Sequence, residues 1–77
     1  MAIQSNSLGK IAIQLNGVCT TVNNGTINDL LKALQIPSEL IIVELNGTII
    51  AGGDHATTPL AQNDVVEIIR YIGGGKK

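Results

Sequence analysis

Few side chains in this chain of 77 residues are of types that do chemistry unaided, and they are scattered. Cys19 is the single cysteine, and no histidine lies near it in sequence to draw off its proton. By type it is a strand residue, because a nucleophile needs an adjacent base. His55 is the single histidine and follows Asp54 in a stretch marked by Gly52, Gly53 and Pro59. A metal site needs several convergent ligands, and none cluster there, so Asp54-His55 reads as loop polarity. Gly52-Gly53 lacks the strand-to-helix setting of a phosphate loop. No paired carboxylates and no nucleophile–base–acid set stand out. What remains is the end of the chain, Ile-Gly-Gly-Gly-Lys-Lys over 72–77. Glycine has no Cβ and adopts almost any φ/ψ. Taken alone, Gly73, Gly74 and Gly75 are a frayed terminus; their meaning depends on what carries them.

The carrier is legible element by element. In Lys10 to Leu15, Ile11, Ile13 and Leu15 alternate with Ala12 and Gln14, the period of a half-buried strand. Asn16-Gly17 follows, a pair that tolerates positive φ and marks a two-residue hairpin. Val18 to Val22 is the returning strand. Thr26 is a helix N-cap by type, and Asp29, three residues on, makes a shortened capping box. Ile27, Leu30, Leu31 and Leu34 fall at i, i+3, i+4 and i+7, one apolar stripe. A helix of about three turns is expected, ended by Pro37. Leu40 to Leu45 reads as a third strand with Ile41, Val43 and Leu45 inward and Ile42 and Glu44 outward. Asn46-Gly47 repeats the hairpin signal and Thr48 to Ile50 returns. The Leu-Asn-Gly triplet thus occurs at 15–17 and again at 45–47, one turn solution used twice. Ala51 to Leu60 reads as an irregular connection and Gln62-Asn63-Asp64 as a turn. Val65 to Ile72 is the last and most apolar strand, and it runs straight into the glycines. A hairpin, a helix, a hairpin and a strand predict a two-layer α+β domain. It spans 10–72, between a flexible N-terminal extension over 1–9 and a flexible glycine tail over 73–77.

Composition narrows the function. Apolar residues make up 44% of the chain, Phe and Trp are absent and Tyr71 is the only aromatic residue, so the core must be aliphatic. Single-stranded nucleic-acid modules rely on aromatic stacking platforms, and a net charge of -1 offers no phosphate-binding field. Nucleic acid is therefore not an expected partner. A domain of this length has no room for both a fold and an enclosed substrate pocket, which argues against an independent enzyme. Nothing approaches a membrane-spanning apolar run. The opening MAIQSNSLGK lacks a secretory pattern. With one cysteine no internal disulfide forms, so a reducing, cytoplasmic location and a monomer are the expectation.

The chain resembles the ThiS family, the sulfur carriers of thiamine biosynthesis with the ubiquitin-like β-grasp fold. The residues that carry the resemblance are I-Q-L-N-G at 13–17, G-T-I-N-D-L-L at 25–31, V-E-L-N-G at 43–47 and D-V-V-E-I-I-R-Y-I-G-G-G at 64–75. The resemblance they mark out runs from roughly Lys10 to Gly75, nearly all of the chain outside its first residues. Each piece alone is weak; their order and spacing are specific. The resemblance implies a mixed sheet of four to five strands packed on one main helix, with the last strand parallel to the first in the middle of the sheet.

It also implies a role. In that family a ThiF-like adenylyltransferase uses ATP to adenylate the C-terminal glycine carboxylate. Sulfur then displaces AMP, and the resulting thiocarboxylate is delivered to thiazole synthase. Carried over to this chain, Gly74 and Gly75 are the reactive end, Gly75 favoured, with Gly73 as spacer. The protein is then a co-substrate with no cofactor of its own. In the family the chain ends at glycine. Here Lys76 and Lys77 follow, so Gly75 has a free carboxylate only where those two lysines are absent, which takes the net charge from -1 to -3. Ile42, Ile69 and Tyr71, all expected on the outer sheet face, form a candidate docking patch for partners, and Arg70 is placed to steer the tail. Two alternatives stay open on the residues alone. One is the small subunit of molybdopterin synthase, which uses the same tail chemistry. The other is a non-covalent β-grasp binding module whose glycines are merely a flexible end.

Overall fold

The computed structural model describes residues 9–70. Of the expected flexible extension over 1–9 only Gly9 is described, its carbonyl accepting from Asn24 N–H at 2.9 Å; the rest of it, together with Tyr71, Ile72, the glycines and the two lysines, lies outside the described residues. The observed elements are β1 (Lys10–Leu15), β2 (Val18–Asn23), α1 (Ile27–Leu34), β3 (Ile41–Leu45), β4 (Thr48–Ile50) and β5 (Val65–Arg70). They build one five-stranded sheet in the order β2-β1-β5-β3-β4. β5 lies parallel to β1 and antiparallel to β3, so the last strand is the central one, as the resemblance implies. No helix among the described residues is long and apolar enough to cross a membrane.

Both hairpins turn as their Asn-Gly pairs require. Asn16 and Gly17 have φ of 49° and 85°, and Asn46 and Gly47 have 52° and 88°. Positive φ at both central residues is the turn whose twist matches the strands it joins. The inward side chains of the sheet then meet the apolar stripe of α1. Ile13, Val43 and Val66 from the strands pack with Ile27, Leu30 and Leu31 of the helix, Ile41 and Leu60, an aliphatic core.

Helix α1 spans its apolar stripe but is shorter than the about three turns expected before Pro37. It has eight residues and stops at Gln35, which takes the left-handed conformation at φ 61°. The Gln35 N–H donates to the carbonyls of Leu31 and Lys32, and the Ile36 N–H to Leu31 at 3.0 Å. This closure satisfies the last carbonyls before Pro37 is reached, so Pro37 is not the terminator. Leu34 consequently sits at the end of the helix, 40% exposed.

The start of α1 accounts for all of its first donors. Asp29 N–H donates to Thr26 Oγ1 at 3.2 Å, and Asp29 Oδ2 accepts from the Thr26 N–H at 2.9 Å, a complete capping box. Leu30 N–H donates to the Thr26 carbonyl. The other two donors go to the loop over 51–60: Ile27 N–H to the Thr58 carbonyl and Asn28 N–H to that of His55. Leu60 N–H returns a bond to the Gly25 carbonyl at 2.8 Å. A Cβ on Gly25 would fall 2.6 Å from Asp29 Oδ2, which explains a glycine directly before the cap.

This loop is therefore a cap for the helix rather than a loose connection, and His55 differs from its expected role. It is buried, 3% exposed, and neither ring nitrogen meets a hydrogen-bond partner among the described residues. The sequence placed it as loop polarity; its backbone, tied to the helix start, draws the ring inward. A buried polar group without a partner destabilises the fold. Replacing it with an apolar side chain, His55→Leu, is expected to raise the unfolding free energy by about 1–2 kcal/mol, read from urea denaturation.

The capping box also sets a pH dependence. Hydrogen bonds from the Thr26 backbone and hydroxyl hold the Asp29 carboxyl below its ordinary value of 3.8. The bonded form is the ionised one, so its stabilisation is present above that value and is lost as pH falls through the depressed folded one. Asp29→Asn is expected to flatten the acid limb of the stability profile, measured by thermal unfolding between neutral pH and strong acid, with no change in slope near neutrality.

Candidate functional site

Because the glycines lie a few residues beyond β5 in the sequence, the site begins with how β5 is held. On the β1 side, backbone bonds run from Asn63 N–H to the Ala12 carbonyl at 2.7 Å, from Gln14 N–H to Asp64 at 2.9 Å and from Asn16 N–H to Val66 at 2.9 Å. Side-chain amides lengthen this ladder at both ends. Gln62 Oε1 accepts from Ala12 N–H at 2.9 Å. Asn16 Oδ1 accepts from Ile68 N–H at 2.7 Å, and Asn16 Nδ2 donates to the Ile68 carbonyl at 3.3 Å. On the β3 side the register runs from Ile41↔Arg70 through Leu45↔Val66. Asn46 extends it: its N–H donates to the Val65 carbonyl at 2.7 Å, its Oδ1 accepts from Val65 N–H at 2.8 Å, and its Nδ2 donates to Asp64 Oδ1 at 3.0 Å. Both Asn-Gly turns thus grip the central strand with their side chains.

The register sorts the candidate docking residues. Ile42 lies directly opposite Ile69 and Glu44 opposite Glu67, all on the face that α1 does not cover. Ile69 is 47% exposed and Ile42 half-buried. Val65 and Ile49, the latter paired with Glu44 across β3 and β4, add further exposed apolar surface on that face. Arg70 does not join them. It pairs with Ile41, so it belongs to the helix-facing side of the sheet and stays exposed because the helix stops short of it. There it borders an open cleft of about 270 Å³ with Asn16, Leu34, Ile36 and Ile68. Tyr71 and the glycines Gly73, Gly74 and Gly75 lie outside the described residues. Cys19 is exposed on edge strand β2, opposite Gln14.

The sequence reading saw the two Asn-Gly turns but missed the use of their side chains. The available signal was the doubled triplet: glycine suits either turn position, yet asparagine stands first both times.

The ThiS family's sequence profile matches residues 13–75. The chain belongs to the ThiS family. Its ThiS relative in Bacillus subtilis (strain 168), a sulfur carrier protein, is 40% identical over 65 residues, covering 82% of this chain and 98% of that protein. A thiazole synthase of Magnetococcus marinus is 32% identical over 65 residues, covering 83% of this chain, which spans only 20% of that larger protein. Among solved structures, a crystal structure of ThiS from Geobacter metallireducens superposes with a TM-score of 0.74 at 30% identity, covering 84% of this chain and 100% of that one. A solution structure of a thiamine biosynthesis protein from the same organism gives 0.71 at 31% identity, with 87% and 91% covered. The ubiquitin-like β-grasp fold expected from the sequence is the one observed.

The Glu44–Glu67 pair is a cost between the apolar residues Ile42, Ile49, Val65 and Ile69 of the outer sheet face. Like charges directly opposite each other on adjacent strands destabilise a sheet. Glu67→Lys is expected to stabilise the fold by roughly 0.2–1 kcal/mol at low ionic strength, with the gain shrinking as salt is added, measured by chemical denaturation.

Proposed function

We propose that this ThiS-family chain is a sulfur carrier protein of thiamine biosynthesis whose tail, ending at Gly75, is the reactive part. The observation that carries this reading is the extent of the family match, which runs through Gly75 and stops before Lys76. Similarity over nearly the whole length of the Bacillus subtilis sulfur carrier supports it. The thiamine pathway is favoured over molybdopterin synthesis on the same ground.

A carboxylate is a poor electrophile, so it must first be activated. In the proposed sequence the Gly75 carboxylate attacks the α-phosphate of ATP on a ThiF-like adenylyltransferase, and pyrophosphate leaves. A sulfur nucleophile then attacks the acyl carbon and AMP departs with the bonding electrons, leaving a thiocarboxylate. The carrier supplies no catalytic group to either step; it presents its terminus. Glycines suit that task because they add no side chain to a narrow channel and bend freely inside it. The acceptor we infer is a thiazole synthase, a reading supported by the similarity to part of the Magnetococcus marinus enzyme. The outer face with Ile42 and Ile69, together with Tyr71, is the proposed docking surface, and Arg70, on the helix-facing side of the sheet, is proposed to steer the tail. Exposed apolar residues grouped on one face mark such surfaces more often than scattered ones do.

The test uses the chain ending at Gly75, a ThiF-type enzyme, ATP and a sulfide source, followed by intact mass spectrometry. One oxygen is expected to be exchanged for one sulfur at the C-terminus. In the same assay Ile69→Asp is expected to raise the KM for the carrier about tenfold or more, as loss of a central apolar contact does, while the fold survives because the side chain is exposed. An unmodified chain under these conditions would favour a non-covalent binding module.

A further inference from the structure

The turn at Asn16 does not need asparagine in order to turn. Its φ of 49°, followed by Gly17 at 85°, suits glycine as well. What glycine lacks is the amide, whose oxygen and nitrogen are both engaged. It receives the Ile68 N–H and donates to the Ile68 carbonyl. The parallel pairing of β1 with β5 covers Gln14↔Val65 and Leu15↔Val66 and then ends as β1 turns away. The Asn16 side chain stands where the next stretch of β1 would have stood, offering one acceptor and one donor as a peptide group does. Ile68 lies two residues before Arg70, the last described residue of β5.

Asn46 provides an internal comparison. It adopts the same turn conformation at φ 52° and grips the same strand, but at the opposite end, through Val65 and Asp64. One amide holds the start of β5 and the other its exit.

We propose that Asn16 is a positioning residue for the reactive tail: by locking both backbone groups of Ile68 it fixes where, and in which direction, the chain leaves the sheet. This rests on the carrier reading given above. A strand end matched on only one side opens locally at low cost. Opening at Ile68 would spread the exit over many directions and lower the share of docked carriers whose terminus reaches the nucleotide. Docking itself, through the outer face at Ile42 and Ile69, would be unchanged.

The experiment compares Asn16→Gly with Asn46→Gly in the chain ending at Gly75. Both substitutions keep a residue that accepts positive φ and remove one amide grip. Pyrophosphate release with a ThiF-type enzyme and ATP gives kcat and KM, and amide hydrogen exchange by NMR follows Ile68 directly. Asn16→Gly is expected to lower kcat about ten- to a hundredfold, as misplacement of a reacting group does, with KM for the carrier unchanged. Its Ile68 amide is expected to exchange about tenfold faster, the worth of one hydrogen bond. Asn46→Gly is expected to lose comparable stability while keeping kcat. Equal kcat losses in both variants, or a rise in KM alone for Asn16→Gly, would overturn the proposal. If the unsubstituted chain releases no pyrophosphate, the carrier reading has failed, and the tail role of Asn16 falls with it; the Ile68 exchange rate then shows whether the grip itself is real.

Discussion

Every other feature of this molecule depends on the last strand being the central one. A central strand must find partners for its backbone groups on both sides, since buried N–H and carbonyl groups left unmatched are costly. β5 meets β3 along most of its length, but its parallel partner β1 ends early. The missing ladder is made up by amide side chains, from Gln62 toward Ala12, from Asn16 at Ile68 and from Asn46 at Val65. A side-chain amide carries the same donor and acceptor as a peptide group, so the ladder continues without more strand. The strand from which the glycine end continues in sequence is thus held along both of its edges.

The same economy appears at the helix. An eight-residue helix is far too short to hold in isolation. It persists because its apolar stripe is buried on the sheet and because both ends are closed by specific bonds. The loop over 51–60 supplies part of that closure, with the His55 and Thr58 carbonyls receiving first-turn donors. The buried imidazole of His55, without a hydrogen-bond partner among the described residues, is the by-product: the backbone position is useful, and the ring goes where that position sends it.

A two-layer fold leaves one sheet face without a helix. Here that face carries Ile42, Ile49, Val65 and Ile69 around an unfavourable Glu44–Glu67 pairing. Toward β1 and β2 the same face turns polar, with Gln14, Cys19 and Thr21, and the like-charged pair is not optimised for the free protein.

Local rules sufficed for much of this. Alternation of Ile11, Ile13 and Leu15, the two Asn-Gly turns, the Thr26 cap with Asp29 and the stripe of Ile27, Leu30 and Leu31 each follow from short-range sterics and hydrogen bonding, so the sequence by itself determined the elements, their order and the aliphatic core. The family resemblance rested on those same segments and extended to the glycine end. Tertiary structure alone decided the rest, because it depends on which distant segments meet. Whether α1 stopped at Gln35 or ran to Pro37 turned on a left-handed cap that several residues can adopt. His55 became buried only because the helix start needed its carbonyl. Arg70 fell on the opposite face from Ile69 by strand alternation, beyond reach of the helix. The grip of Asn16 on Ile68 joins residues 52 positions apart, a separation at which no local pattern in the sequence carries information about contact.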